Sequence, residues 1–128
     1  MIDYINTAAA KVAGLPFSQA VRVGDVLYLS GALGNRPGTM NLVPGGIEAE
    51  TRQTMANIEA TLRENGLTLD AVFKCTVMLA DISEWPTFNK IYVPYFKPER
   101  MPARSAFGTN GLALGARVEL ECMAYAGA

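Results

Sequence analysis

"AVFKCTVMLADI", Ala71 to Ile82, is the stretch on which the fold turns. β-Formers run through it with period two and leave both faces largely apolar, the pattern of a central strand with neighbours on either side. The period then changes. After Ser83, which can cap a helix, Trp85, Phe88, Tyr92 and Tyr95 recur at three- and four-residue spacing, so the strand hands over to a short helix with an aromatic stripe. Pro94 lacks a backbone donor and predicts a kinked or frayed last turn.

Upstream, "FSQAVRVGDVLYLSGA" (Phe17 to Ala32) holds two β-rich runs separated by Gly24-Asp25, a glycine-first pair suited to a tight hairpin turn. Pairing Val23 with Val26 makes Gln19 face Ser30. Alternation then places Phe17, Gln19, Tyr28 and Ser30 on one sheet face and Ala20, Leu27 and Leu29 on the other. "GNRPGTMNLVPGG" reads as a loop from its Gly, Pro and Asn content. From about Glu48 to Asn65 the pattern is helical: Met55, Ile58 and Leu62 form one stripe, Glu59 precedes Arg63 by four, and Asn65-Gly66-Leu67 reads as a C-terminal cap. Two further strands are expected, a short one around Ala103 to Gly108 and a longer one from Arg117 to about Ala126. The order of two strands, helix, strand, helix and two strands predicts an α+β domain, with both helices on one face of a mixed sheet. The other face would carry apolar residues beside polar ones, and self-association in a ring would cover it and place clefts at subunit boundaries.

Composition narrows the function. The 128 residues, 50% of them hydrophobic, suit one domain over residues 1–128, and no repeat or linker interrupts them. Eleven basic and twelve acidic residues lie scattered along the chain, with no basic block to track a phosphate backbone, so nucleic acid is not an expected partner. Cys75 and Cys122 have neither zinc-ligand spacing nor a histidine anywhere in the sequence, and are expected to be buried, reduced thiols in a cytoplasmic setting. No metal site is expected. Residues 8–14 put a lysine inside a short apolar stretch, unlike a secretory leader, and no apolar run approaches the ~20 residues of a membrane span.

The stretch richest in chemistry is "MPARSAFGTNGLALGARVELEC", Met101 to Cys122. On its last strand Val118, Leu120, Cys122 and Ala124 point one way, and Arg117, Glu119, Glu121, Met123 and Tyr125 the other. Arg104 can pair with one of these glutamates across strands. A strand-held guanidinium is equally a fork for a small carboxylate, with a glutamate nearby to handle protons or water. Spacing admits both readings.

Six segments taken in order, "SGALG" (Ser30 to Gly34), "TRQTMANIEATL" (Thr51 to Leu62), "VFKCTVMLAD" (Val72 to Asp81), "FNKIYVPYF" (Phe88 to Phe96), "PARSAFG" (Pro102 to Gly108) and "GARVELECMA" (Gly115 to Ala124), resemble the reactive-intermediate deaminase family, RidA or YjgF. The resemblance covers almost the whole chain. It implies a chorismate-mutase-like α+β subunit, a homotrimer with sites between subunits, and cofactor-free hydrolysis of 2-imino and enamine acids, 2-aminoacrylate among them, to 2-ketoacids and ammonia. The implied enzyme is a 2-iminobutanoate/2-iminopropanoate-type deaminase, a hydrolase acting on C=N bonds. Carried over residue by residue, the resemblance makes Arg104 the clamp on the substrate carboxylate and Glu119 the group that orients or activates water. Ser30, Gly31, Asn89 and the backbone of Ala106 would contact substrate, and Glu121 would be structural. Two positions depart from the family pattern: Phe17 stands where tyrosine is common and Ala106 where cysteine is. Phe17 would give the pocket apolar area without a hydroxyl. The resemblance also leaves room for a non-catalytic metabolite-binding or chaperone-like trimer, and for an endoribonuclease or translation inhibitor, which the flat charge distribution disfavours.

Overall fold

In the computed structural model, which describes residues 1–7 and 14–127, the chain forms strands β1 (Ile2–Ile5), β2 (Ala20–Val23) and β3 (Val26–Leu29), then helix α1 (Gly46–Glu64) and β4 (Val72–Leu79). Helix α2 (Trp85–Tyr92), β5 (Ala103–Gly108) and β6 (Val118–Tyr125) complete it. The strands make one mixed sheet in the order β1-β2-β3-β6-β4-β5, with β4 parallel to β5 and antiparallel to β6. Residues 8–13, which hold the lysine-interrupted apolar stretch, lie outside the described residues.

Local chemistry sets each element. Gly24, at φ 59°, supplies the left-handed backbone that the two-residue hairpin turn needs, and Val23 pairs with Val26 as its register requires. Helix α1 stops where Gly66 turns left-handed: Gly66 N–H donates to Arg63 and Leu67 N–H reaches back to Leu62, satisfying two terminal carbonyls. Before α2, the cap is Asp81 and not Ser83. The Asp81 carboxylate accepts the Ser83 N–H at 2.9 Å and starts a 3₁₀ turn, Ile82–Glu84, that leads into Trp85. A carboxylate two residues upstream outcompetes the serine hydroxyl because it accepts as a full charge. Pro94 falls in the 3₁₀ turn Val93–Tyr95 that ends the helix.

Strand β1 was not predicted. Three of its four residues are exposed, so "IDYI" carries no alternating burial, yet it pairs antiparallel along β2 from Ile2↔Val23 to Ile5↔Ala20.

Both helices lie on one face. Ala20, Leu27 and Leu29 of the hairpin, Cys75, Val77 and Leu79 of β4, and Val118, Leu120 and Cys122 of β6 are buried against Met55, Ile58 and Leu62 of α1 and Phe88 and Tyr92 of α2. Each of the Leu, Val, Ile, Met and Phe side chains among them stabilises the fold by about 1.5–3 kcal/mol through burial. The opposite face is open: Ile2, Tyr4, Val23, Tyr28, Phe107 and Tyr125 are each between 42% and 71% exposed. Among the described residues, no helix is long and apolar enough to cross a membrane.

Candidate active site

Arg104 lies on the edge strand β5, in register with Cys75 of β4, which in turn faces Cys122 of β6. Cys122 belongs to the buried, helix-covered side, so Arg104 projects to that side as well. There it meets α2. Its Nη1 donates to Asn89 Oδ1 at 2.7 Å, and its guanidinium carbon sits 5.0 Å from the Tyr92 ring centroid and 5.9 Å from those of Trp85 and Phe88. The aromatic stripe read from the sequence thus has two uses: Phe88 and Tyr92 fill the core, and their faces with Trp85 make a cation–π bed for the arginine. Ala106, two residues along the strand, lines a surface groove with Ile82, Ser83, Trp85 and Pro86.

The pairing of Arg104 with a strand carboxylate does not occur. Among the described residues the ion pairs join Lys97 to Asp70 and Arg117 to Glu84, and Arg104 takes part in neither. The reason is topological. β4 intervenes between β5 and β6, and Glu119 and Glu121 alternate with the buried Leu120 and Cys122, so both glutamates face the open side of the sheet.

Glu119 belongs to a second cluster. Strand β3 pairs with β6 at Tyr28↔Met123, and the chain meets β6 again at Ala32↔Leu120, an advance of four residues against three. The extra residue is a β-bulge at Ser30-Gly31. It brings Gly31 so close to Glu119 that a Cβ there would collide with Oε2 of the carboxylate. Ser30 is tied back to the hairpin, its hydroxyl donating to the Ser18 carbonyl at 2.7 Å. Partial burial, and then the charge of Glu121, hold the Glu119 carboxyl above the ordinary glutamate pKa.

Beside the bulge lies a cavity of about 370 Å³, lined mostly by apolar groups that include Phe17, Leu29, Ala60 and Leu114, with Ser30 and Gly31 in its wall. This corrects the facing inferred from alternation. Gln19 still pairs with Ser30 through its backbone, but its side-chain amide donates to Thr61 Oγ1 on α1 at 3.1 Å, so Gln19 points to the helix side rather than to the side of Tyr28. The strand begins only at Ala20, and strict alternation does not extend beyond it. Phe17 accordingly sits at the cavity between hairpin and α1, half exposed.

Three contributors escaped sequence reasoning. Trp85 was read only as part of a stripe. Asn57 of α1 donates to the Leu33 and Asn35 carbonyls at 3.0 and 2.9 Å and so fixes the loop bordering the cavity, a contact without any local sequence signal. Leu114 adopts φ 61°, costly for a branched side chain, and helps line the cavity; its glycine neighbourhood signals a turn but not this residue's strain.

The structure therefore gathers the expected site residues into two groups. Arg104, Asn89 and Ala106 stand at the β5–α2 edge, and Glu119, Ser30, Gly31 and Phe17 stand about the β3–β6 bulge. Within one chain the two groups occupy opposite sides of the sheet or separate ends of it.

Comparison with known proteins agrees with this architecture. A family model described as Endoribonuclease L-PSP matches residues 7–126. The chain is 43% identical over 123 residues to the Bos taurus protein named 2-iminobutanoate/2-iminopropanoate deaminase, covering 96% of this chain and 89% of that one. The Homo sapiens protein of the same name is 42% identical with the same coverage. The crystal structure of RidA from the Antarctic bacterium Psychrobacter sp. PAMC 21119 superposes with a TM-score of 0.86 at 37% identity, covering 96% of this chain and 98% of that one. With matches of this extent in sequence and in fold, the chain belongs to the RidA/YjgF family, the family of the Endoribonuclease L-PSP model.

Proposed function

We propose that this chain is a single-domain deaminase that hydrolyses 2-imino and enamine acids to 2-ketoacids and ammonia without a cofactor, as the names of its relatives suggest. The observation that carries the reading is the state of Arg104. It is stacked on three rings, steered by Asn89 and paired with no carboxylate among the described residues, so its anion comes from outside the subunit. A 2-imino acid supplies one. The planar guanidinium grips the substrate carboxylate through two parallel N–H donors. The imine carbon beside that carboxylate is already electrophilic, so the reaction needs little beyond placed water and a proton carrier. Glu119 accepts a proton from water as the oxygen attacks carbon and the C=N π pair moves to nitrogen. The same carboxyl returns that proton to nitrogen, giving the carbinolamine; it then carries the hydroxyl proton to nitrogen as well, so that the C–N bond breaks, ammonia leaves and the oxygen lone pair forms the C=O of the ketoacid. An enamine is first protonated at carbon to give the imine. Ser30, Gly31 and the Ala106 backbone border the substrate, and Phe17 with its cavity receives the side chain.

Arg104 and Glu119 act together only if they come from different subunits. The homotrimer supplies that arrangement: edge strand β5 of one subunit reaches the open, Glu119-bearing face of the next, and the exposed Tyr28, Phe107 and Tyr125 are covered by the association. The protein acts in the cytoplasm. The scattered charges favour no nucleic-acid partner.

The test generates imines in place with an L-amino-acid oxidase and follows their trapping by semicarbazide. Added protein is expected to suppress semicarbazone formation by consuming the imine first. Binding of ketoacids with no faster imine decay would instead identify a metabolite-binding trimer.

A further inference from the structure

Cys75 and Cys122 stand opposite each other on the antiparallel strands β4 and β6, both almost wholly buried, with their sulfur atoms 3.0 Å apart. The deamination chemistry uses neither. Directly opposed residues of an antiparallel ladder have Cα atoms roughly 4.5–5.5 Å apart, within the span of roughly 4.4–6.8 Å that a disulfide bridges. The backbone therefore already holds disulfide spacing, and closure asks the sulfurs to move together by about 1 Å. On the helix side, Tyr92 covers the pair with a buried hydroxyl that makes no hydrogen bond meeting ordinary geometry, and Arg104 is the register partner of Cys75 on β5. Both groups polarise the Cys75 sulfur.

We propose that Cys75 and Cys122 are a redox-active dithiol that hydrogen peroxide converts, within one subunit, into a buried cross-strand disulfide. Cys75 reacts first. The thiol–thiol hydrogen bond with Cys122 lowers the Cys75 pKa against the opposing effect of burial, with smaller help from Tyr92 and Arg104, and the Cys122 pKa is raised. The Cys75 thiolate attacks one peroxide oxygen and breaks the O–O bond, giving a sulfenic acid and hydroxide, which takes up a proton to become water. The Cys122 sulfur then attacks the sulfenic sulfur, its S–H proton leaves with the departing hydroxyl as a second water, and the S–S bond forms. In balance, two thiols and one peroxide give one disulfide and two waters. Peroxide is close to water in size and enters through local opening of edge strand β5 and the eight-residue α2.

The experiment exposes the purified protein to hydrogen peroxide, quenches in acid, alkylates under denaturing conditions and reads the mass. The expected product has lost two hydrogens, carries no alkyl group and yields one peptide pair linking Cys75 to Cys122. Dithiothreitol before alkylation restores both alkylation sites. Cys122→Ser is expected to stop at oxygen addition on Cys75. The linked protein is expected to melt roughly 5–15 °C higher, because the bond closes a long loop of the unfolded chain. Exposed Met1, Met40 and Met101 serve as internal monitors of peroxide dose. The proposal is overturned if both thiols remain alkylatable after these methionines have oxidised, or if each cysteine gains oxygen without linkage. Linkage between subunits, or a melting temperature that falls on linkage, overturns it too.

Discussion

Arg104 is held by a helix and not by a carboxylate, so the catalytic role proposed for it can be tested separately from the stability of the fold. A charge-assisted contact is worth roughly 1.5–3 kcal/mol, so Arg104→Ala is expected to lower kcat/KM by about tenfold to a hundredfold or more, with lysine rescuing in part because it keeps the charge and loses the fork. A normally folded Arg104→Ala protein with wild-type turnover would remove the arginine from the reaction. Glu119 carries a pH signature as well as a rate effect. In the proposed reaction its working form is the carboxylate, and its pKa is raised first by burial and then by Glu121, so kcat/KM is expected to fall, as pH decreases, at a higher pH than for an ordinary glutamate. Glu119→Gln is expected to cost ~10²–10⁴-fold. Glu121→Gln removes one cause of the shift and is expected to move the acid limb to lower pH with little change in the plateau rate. A limb that stays in place would assign it to another group. At this scale the sequence was legible up to a point: alternation on β6 separated Glu119 from Leu120 correctly, but whether Arg104 met a glutamate depended on β4 lying between the two strands, and no spacing within "PARSAFGTNGLALGARVELEC" encodes that neighbour.

Elements were most legible where burial is one-sided and repetitive. Helix α1, with Met55, Ile58 and Leu62 inward, was recovered to within two residues at its start and one at its end, and the hairpin register of Val23 with Val26 followed from Gly24-Asp25. Strand β1 was invisible because an exposed edge strand needs pairing and not a buried stripe. The bulge at Ser30-Gly31 was equally invisible, since it exists only relative to the partner strand. Its function is open to test through Gly31. Adding a Cβ there forces the flexible end of Glu119 aside while leaving the backbone in place, so Gly31→Ala is expected to fold with near-normal stability and lose roughly tenfold or more in kcat. Comparable losses of melting temperature and activity would mean that the glycine serves the fold alone.

For the molecule as a whole, the separation of Arg104 from Glu119 predicts more than a sedimentation coefficient of three subunits. If every site takes its arginine from one subunit and its glutamate from the next, two inactive variants repair each other. Arg104→Ala and Glu119→Gln proteins, unfolded together in equal amounts and refolded, are expected to regain about a quarter of wild-type activity, because in a ring of random composition that fraction of interfaces receives both native residues. Separately refolded proteins mixed at the last moment are expected to remain inactive. Failure of the co-refolded mixture to exceed its parents would place both residues of each site in one subunit or deny the pair its role. The proposed oligomer is legible in the sequence only as an uncovered face, since exposed apolar residues such as Tyr28 and Tyr125 do not name what would cover them.

The ring bed beneath Arg104 also gives the protein an optical property. Trp85 is the sole tryptophan of the sequence, and its indole lies 5.9 Å from the guanidinium carbon on a partly exposed helix start. Its emission colour therefore reports polarity and water at this one place, uncontaminated by any other indole. Titration with a ketoacid product is expected to shift or quench that emission in the native protein and to leave it unchanged in Arg104→Ala, so that ligand occupancy can be followed in real time with no label attached.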